Sequence, residues 1–136
     1  MSDLSFWQMG KHLSAVCGYL ACGALSLAAA SFLVTGLCFG KPTVLGIRPY
    51  FILTESMEPV IRQYQFVLTV PTEADEVSIG DIIVYKKRGS AAFGYHVIHR
   101  IIAVGEGGFV LKGDNNRDAD QNVVFPEQVM YRVIFY

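Results

Sequence analysis

Charge is nearly absent from the first third of this 136-residue sequence, and cysteine is absent from everything after Cys38. Of the Lys, Arg, Asp and Glu residues, only Asp3, Lys11 and Lys41 fall within positions 1–45, leaving 20 for the remaining 91 positions. The lack of cysteine in the more polar part excludes a disulfide-stapled scaffold, so that part must be held by its own core. Cys17, Cys22 and Cys38 all lie in the apolar part, where they read as small hydrophobes, and no Cys–His spacing supports a metal. An excess of either charge is also missing: 11 basic residues face 12 acidic ones, which gives no electrostatic footprint for a nucleic-acid partner. A hydrophobic content of 52% excludes a disordered chain.

From Leu13 to Gly40 there are 28 residues without Asp, Glu, Lys, Arg or His. A bilayer core of ~30 Å needs about 20 apolar residues at ~1.5 Å each, so this segment is long enough to span with room for tilt. A cleavable signal peptide is the competing reading, since Lys11 precedes the segment and Ala28, Ala29 and Ala30 imitate a cleavage site. Its apolar core would run only ~7–15 residues, whereas here it continues through Phe32, Leu33, Val34, Leu37 and Phe39. The expected organisation is a tail at 1–12, a transmembrane helix at 13–40, a linker at 41–46 and a β-rich domain at 47–136. Lys11 is nearly balanced by Lys41 and Arg48, so the positive-inside rule does not fix the orientation. The short linker predicts a domain close to the membrane surface, with membrane lipid as one partner.

Beyond Pro42 the pattern changes to short β-branched and aromatic runs punctuated by Gly, Pro, Asp and Asn. The predicted strands are Ile47–Leu53, Phe66–Val70, Asp81–Lys86, Val97–Val104, Phe109–Lys112 and Val129–Phe135. No helical periodicity is sustained there, and the longest stretch without Asp, Glu, Lys or Arg, 89–99, is 11 residues, too short to cross a bilayer. The fold class is therefore mainly β: an N-terminal membrane helix, then a small curled antiparallel sheet or partly open barrel.

Three places carry chemistry. Thr54, Glu55, Ser56, Met57, Glu58 and Pro59 follow the first strand and put a hydroxyl at its end; His96 and His99 lie on a later strand; Asp114, Asp118 and Asp120 crowd an acidic turn. A serine is a poor nucleophile until a base takes its proton, and an imidazole base needs a third group to hold its tautomer. On a strand, positions 96 and 99 face opposite sides, so at most one of the two histidines reaches a shared site. A calcium loop fits poorly, because Ala119 stands where such a loop has glycine and Phe125 where it has glutamate.

The ordered set Ser56-Met57-Glu58-Pro59, then His99-Arg100, then Gly113-Asp114-Asn115-Asn116 followed by Asp120, resembles the type I signal peptidases. The similarity is to the branch of the endoplasmic reticulum, archaea and some Gram-positive bacteria, in which histidine replaces the lysine base. It covers nearly the whole chain, including the N-terminal segment and Gly80–Tyr85. The resemblance implies Ser56 as nucleophile, His99 as general base and Asp120 as orienting acid. Asp114 then becomes a supporting carboxylate, and Asp118 a rival of Asp120. Thr54 is implied to join the Ser56 N–H in an oxyanion hole, although Glu55 departs from the glycine often found between them.

The expected function is a membrane-anchored serine endopeptidase that cleaves preprotein signal peptides without metal or other cofactor. Residues Tyr50–Leu53 are expected to line its substrate pockets. The family pattern places such a domain outside the cytoplasm, or in the lumen of the endoplasmic reticulum, and such relatives often continue past the last strand. Two other readings remain: a catalytically silent tethered β-domain that binds or assembles with partners, and a self-processing regulatory peptidase. The latter is expected to be soluble and to use a lysine base, against both the apolar segment and His99.

Overall fold

The computed structural model describes residues 2–40, 42–88 and 95–136. Met1 of the expected tail and Lys41 of the expected linker lie outside the described residues. The chain divides into two compact units, Met1–Leu45 and Gly46–Tyr136.

The first unit is built on one helix, α1 (Ser2–Phe39). It contains a 30-residue stretch, Met9–Cys38, long and apolar enough to cross a membrane. Leu13, Leu20, Leu25, Leu33 and Leu37 are all exposed, so apolar side chains cover the helix on every side instead of forming one stripe. The helix also runs through residues 2–12, where nothing in the sequence before Gly10 breaks it. After Gly40 the chain turns back: the Thr43 N–H donates to Thr35 Oγ1 at 2.8 Å, and the Leu45 N–H to Ser31 Oγ at 2.9 Å. Hydroxyls on the last helical turns thus fasten the segment that sequence alone assigns to a linker.

The second unit is an antiparallel sheet of six strands: β1 (Arg48–Phe51), β2 (Phe66–Pro71), β3 (Ile82–Lys86), β4 (His96–Gly105), β5 (Gly108–Lys112) and β6 (Val129–Phe135). Their spatial order is β1-β2-β6-β3-β4-β5. Tyr50 of β1 nevertheless meets His96 of β4, with a 3.1 Å contact between its hydroxyl and Nδ1. Strands far apart in the sheet order can touch in this way only if the sheet curls, as expected of a curled antiparallel domain. Each predicted strand has its counterpart within a residue or two at most ends.

β3 is the pivot. Four of its five residues are buried, and three of them divide between two cores: Ile83 and Tyr85 pack with Val77, Ile101, Phe109, Leu111, Val124 and Val129, whereas Ile82 packs with Ile52, Met57, Ile61 and Val67. A strand covered on both faces reads as a continuous apolar run, which is why Ile82-Ile83-Val84-Tyr85 shows no alternation. The β4–β5 hairpin turns at Gly107, whose φ of 105° is open to glycine but strained for other residues. Ile83 pairs with His99 and Tyr85 with Val97, so His99 projects on the Ile83–Tyr85 face of the sheet.

Candidate active site

Ser56 lies in the turn that leaves β1, anchored on either side by core residues Ile52 and Met57. The Glu58 N–H bonds to the Glu55 carbonyl at 3.0 Å and the Ile61 N–H to the Met57 carbonyl at 2.9 Å, so the turn is closed internally. A second loop clamps it. The Asn115 N–H donates to the Ser56 carbonyl at 2.9 Å, and Asn115 Nδ2 donates to the Glu55 carbonyl at 3.1 Å. Gly113 packs so close that a Cβ there would stand 2.5 Å from the Ser56 carbonyl oxygen. Only a residue without a side chain allows the two loops this approach.

His99, 7% exposed, is carried on β4 and faces both loops. Its Nε2 lies 3.3 Å from Ser56 Oγ and its Nδ1 lies 2.7 Å from Asp120 Oδ2. With a proton on Nδ1 donated to the carboxylate, Nε2 is left as an acceptor for the serine hydroxyl. Asp120 is tied to β5 by its backbone N–H, which donates to the Leu111 carbonyl at 2.8 Å. Burial pushes the Asp120 carboxyl up, but the hydrogen bond and charge of His99, the Tyr85 hydroxyl and the Lys87 ammonium together hold it below its ordinary value. It therefore stays ionised beside the imidazole throughout the neutral range.

The remaining residues singled out in the sequence separate cleanly. Asp114 faces Arg100: Nε donates to Oδ1 at 2.8 Å and Nη2 to Oδ2 at 2.7 Å, a two-pronged pair that occupies both carboxylate oxygens. The hydrogen bonds that Arg100 donates to Asp114 in turn raise the Arg100 pKa. A third donor of Arg100, Nη1, reaches the Gly80 carbonyl at 2.8 Å. Thr54 Oγ1 stands 3.3 Å from Ser56 Oγ. His96 points to the opposite face of β4, onto Tyr50, and Asp118 lines a cleft of about 780 Å³ that also opens on His99, Asp120 and Phe125. Ser56 is not among the residues lining that cleft.

Tyr50–Leu53 do not act together as a pocket wall. Tyr50 of β1 turns toward His96 and Tyr131 and Ile52, just past the strand, enters the core, leaving Phe51 and Leu53 exposed at 45% and 67%. Sequence reasoning also passed over Tyr85, whose hydroxyl donates to Asp120 Oδ2 at 3.0 Å. The available signal was a phenol ending an otherwise aliphatic buried strand, since a buried tyrosine hydroxyl needs a partner. Among the described residues no cluster of three or more His, Cys, Asp or Glu side chains is arranged to hold a metal ion.

Comparison with known proteins gives one informative match. No protein-family model and no solved structure matches the chain. Signal peptidase I W of Bacillus subtilis (strain 168) is 34% identical over 95 residues, which cover 66% of this chain and 48% of that protein. The chain therefore spans about half the length of the curated relative it matches. The chain is thus similar to a type I signal peptidase, in agreement with what the ordered motifs imply.

Proposed function

We propose that the protein is a membrane-anchored serine endopeptidase that cleaves signal peptides from preproteins, and that it belongs to the histidine-using branch of its family. The observation that carries this reading is the chain of contacts from Ser56 Oγ through His99 to Asp120. In the first step Ser56 Oγ attacks the scissile carbonyl carbon while its proton passes to His99 Nε2. Asp120 stabilises the imidazolium that forms. Collapse of the tetrahedral intermediate breaks the peptide C–N bond, and the proton on Nε2 goes to the leaving amine. Water, deprotonated by the same nitrogen, then cleaves the serine ester and releases the signal peptide as a free acid. The Ser56 N–H and the Thr54 hydroxyl are the donors proposed for the developing oxyanion.

Anchoring supports the same reading. Helix α1 is long and apolar enough for a bilayer, and Ser56 follows Gly40 by only 16 residues. A substrate whose own apolar segment sits in that bilayer meets the serine at a high effective concentration. The domain would lie on the extracytoplasmic side, where preproteins emerge.

The test is cleavage of a preprotein by the full chain in detergent or lipid vesicles. Wild type is expected to cleave, with activity lost by a factor of about a thousand or more in Ser56→Ala and in His99→Ala. Absence of cleavage by wild type would favour a silent tethered domain. Retained cleavage in Ser56→Ala would remove the serine mechanism.

A further inference from the structure

We propose that Tyr85 is a positioning residue for this reaction, its hydroxyl holding the Asp120 carboxylate in line with His99. The assignment rests on the Ser56–His99–Asp120 reading and adds a fourth member to it.

Tyr85 is 5% exposed and its ring belongs to the core formed with Ile83, Ile101, Phe109 and Leu111. For that packing a phenylalanine would serve equally well, so the hydroxyl needs another account. Its bond goes to Asp120 Oδ2 at 3.0 Å, the same oxygen that receives His99 Nδ1 at 2.7 Å. Two donors converging on one oxygen restrict rotation of the carboxylate about its side-chain bonds. The backbone bond from Asp120 to Leu111 fixes only the main chain and leaves those rotations open.

The strand register makes the convergence possible. Ile83 pairs with His99 and Tyr85 with Val97, so Tyr85 is the diagonal neighbour of His99 on one face of the sheet. The loop carrying Asp120 passes over that face, and its carboxylate bridges the two rings. Burial, and next the Asp120 charge, push the Tyr85 phenol well above its ordinary value, so it remains an O–H donor wherever the enzyme is active.

The experiment compares Tyr85→Phe with wild type in preprotein cleavage, alone and in an Asp120→Ala background, with a thermal melt of each variant. Tyr85→Phe keeps the ring and is expected to fold. Its kcat should fall about tenfold, the order expected for a lost hydrogen bond to a charged group, with KM unchanged. The acid limb of its pH–rate profile should move to higher pH, because Oδ2 no longer shares its charge with the phenol and stabilises the imidazolium more strongly. In the Asp120→Ala background the same substitution should change neither kcat nor the profile. An unchanged kcat in Tyr85→Phe, or an equal loss with and without Asp120, would overturn the assignment while leaving the peptidase reading intact. A wild-type protein that cleaves nothing would overturn both.

Discussion

Gly113 and Ser56 are in such close contact that the loop of one sets the backbone of the other: a Cβ at 113 would lie 2.5 Å from the Ser56 carbonyl oxygen and 2.8 Å from Asn116 Nδ2. The Ser56 carbonyl cannot retreat freely, since it also accepts the Asn115 N–H at 2.9 Å. Gly113→Ala is therefore expected to displace the serine turn. The added methyl should cost about 1–3 kcal/mol of stability, and preprotein cleavage should fall at least tenfold because Ser56 Oγ leaves its place beside His99. Denaturant unfolding and a cleavage assay on one preparation check both. A variant as stable and as active as wild type would show that the two loops are not packed this closely.

Asn115 separates the two halves of that clamp. In Asn115→Ala the backbone N–H to Ser56 survives, while the Nδ2 bond to the Glu55 carbonyl is lost. The exposed site predicts a stability loss of only about 0.5–1.5 kcal/mol. Cleavage should fall less than in Gly113→Ala, and the ratio of the two activities measures how much of the clamp is steric.

Arg100 and Asp114 fasten the same loop from its other side through two parallel hydrogen bonds, with side chains 27% and 15% exposed. Lysine supplies the charge without the fork. Arg100→Lys should cost about 1–2 kcal/mol, a figure kept low because water still screens part of the pair, and should lower cleavage by loosening residues 113–116. A lysine variant indistinguishable from wild type in urea unfolding would contradict a geometric role for the guanidinium.

Asp120 predicts a specific pH dependence of stability. Its carboxyl is held below the ordinary value in the folded protein, so it contributes stability above the unfolded pKa, ~3.9, that is lost as pH falls through the folded value. Wild type should therefore melt several degrees above Asp120→Asn at about pH 7, and the gap should narrow progressively as pH falls below ~3.9. A gap that stays constant across that range would mean that the carboxylate charge plays no part in it.

Much of this arrangement was legible in the sequence, for identifiable reasons. Charge depletion marked α1, and β-branched runs between turn residues marked all six strands, because both signals are local. The parity of positions 96 and 99 correctly sent the two histidines to different faces of β4. What lay out of reach depends on register. That Ile83 opposes His99, and hence that Tyr85 stands diagonal to it, follows from the pairing of β3 with β4 across a long connection. The reach of Arg100 to Asp114 likewise depends on the path of the loop after β5. The inward turn of Ile52 continues, just past β1, the alternation that an extended chain imposes on neighbouring side chains.

The two histidines offer the sharpest discrimination, because they share a strand and differ in almost everything else. His96 Nδ1 lies 3.1 Å from the Tyr50 hydroxyl, and its ring stands edge-on to that tyrosine, beside Arg48 and Tyr131. Burial lowers its pKa, and the charges of Arg48 and Lys86 lower it further. The unfolded chain then takes up the His96 proton more readily than the folded one, so stability is lost as pH falls through the unfolded value, ~6.5. His96→Gln removes this acid weakness along with one hydrogen bond. It should be about 0.5–1.5 kcal/mol less stable than wild type at about pH 8, with a smaller deficit at about pH 5. Its cleavage of a preprotein should remain within about threefold of wild type, since among the described residues the hydrogen-bond partner of His96, Tyr50, is not a partner of Ser56. His99→Gln, in contrast, should abolish cleavage while leaving the sheet folded. Loss of activity in His96→Gln with retention in His99→Gln would reverse the assignment of the base and, with it, the mechanism.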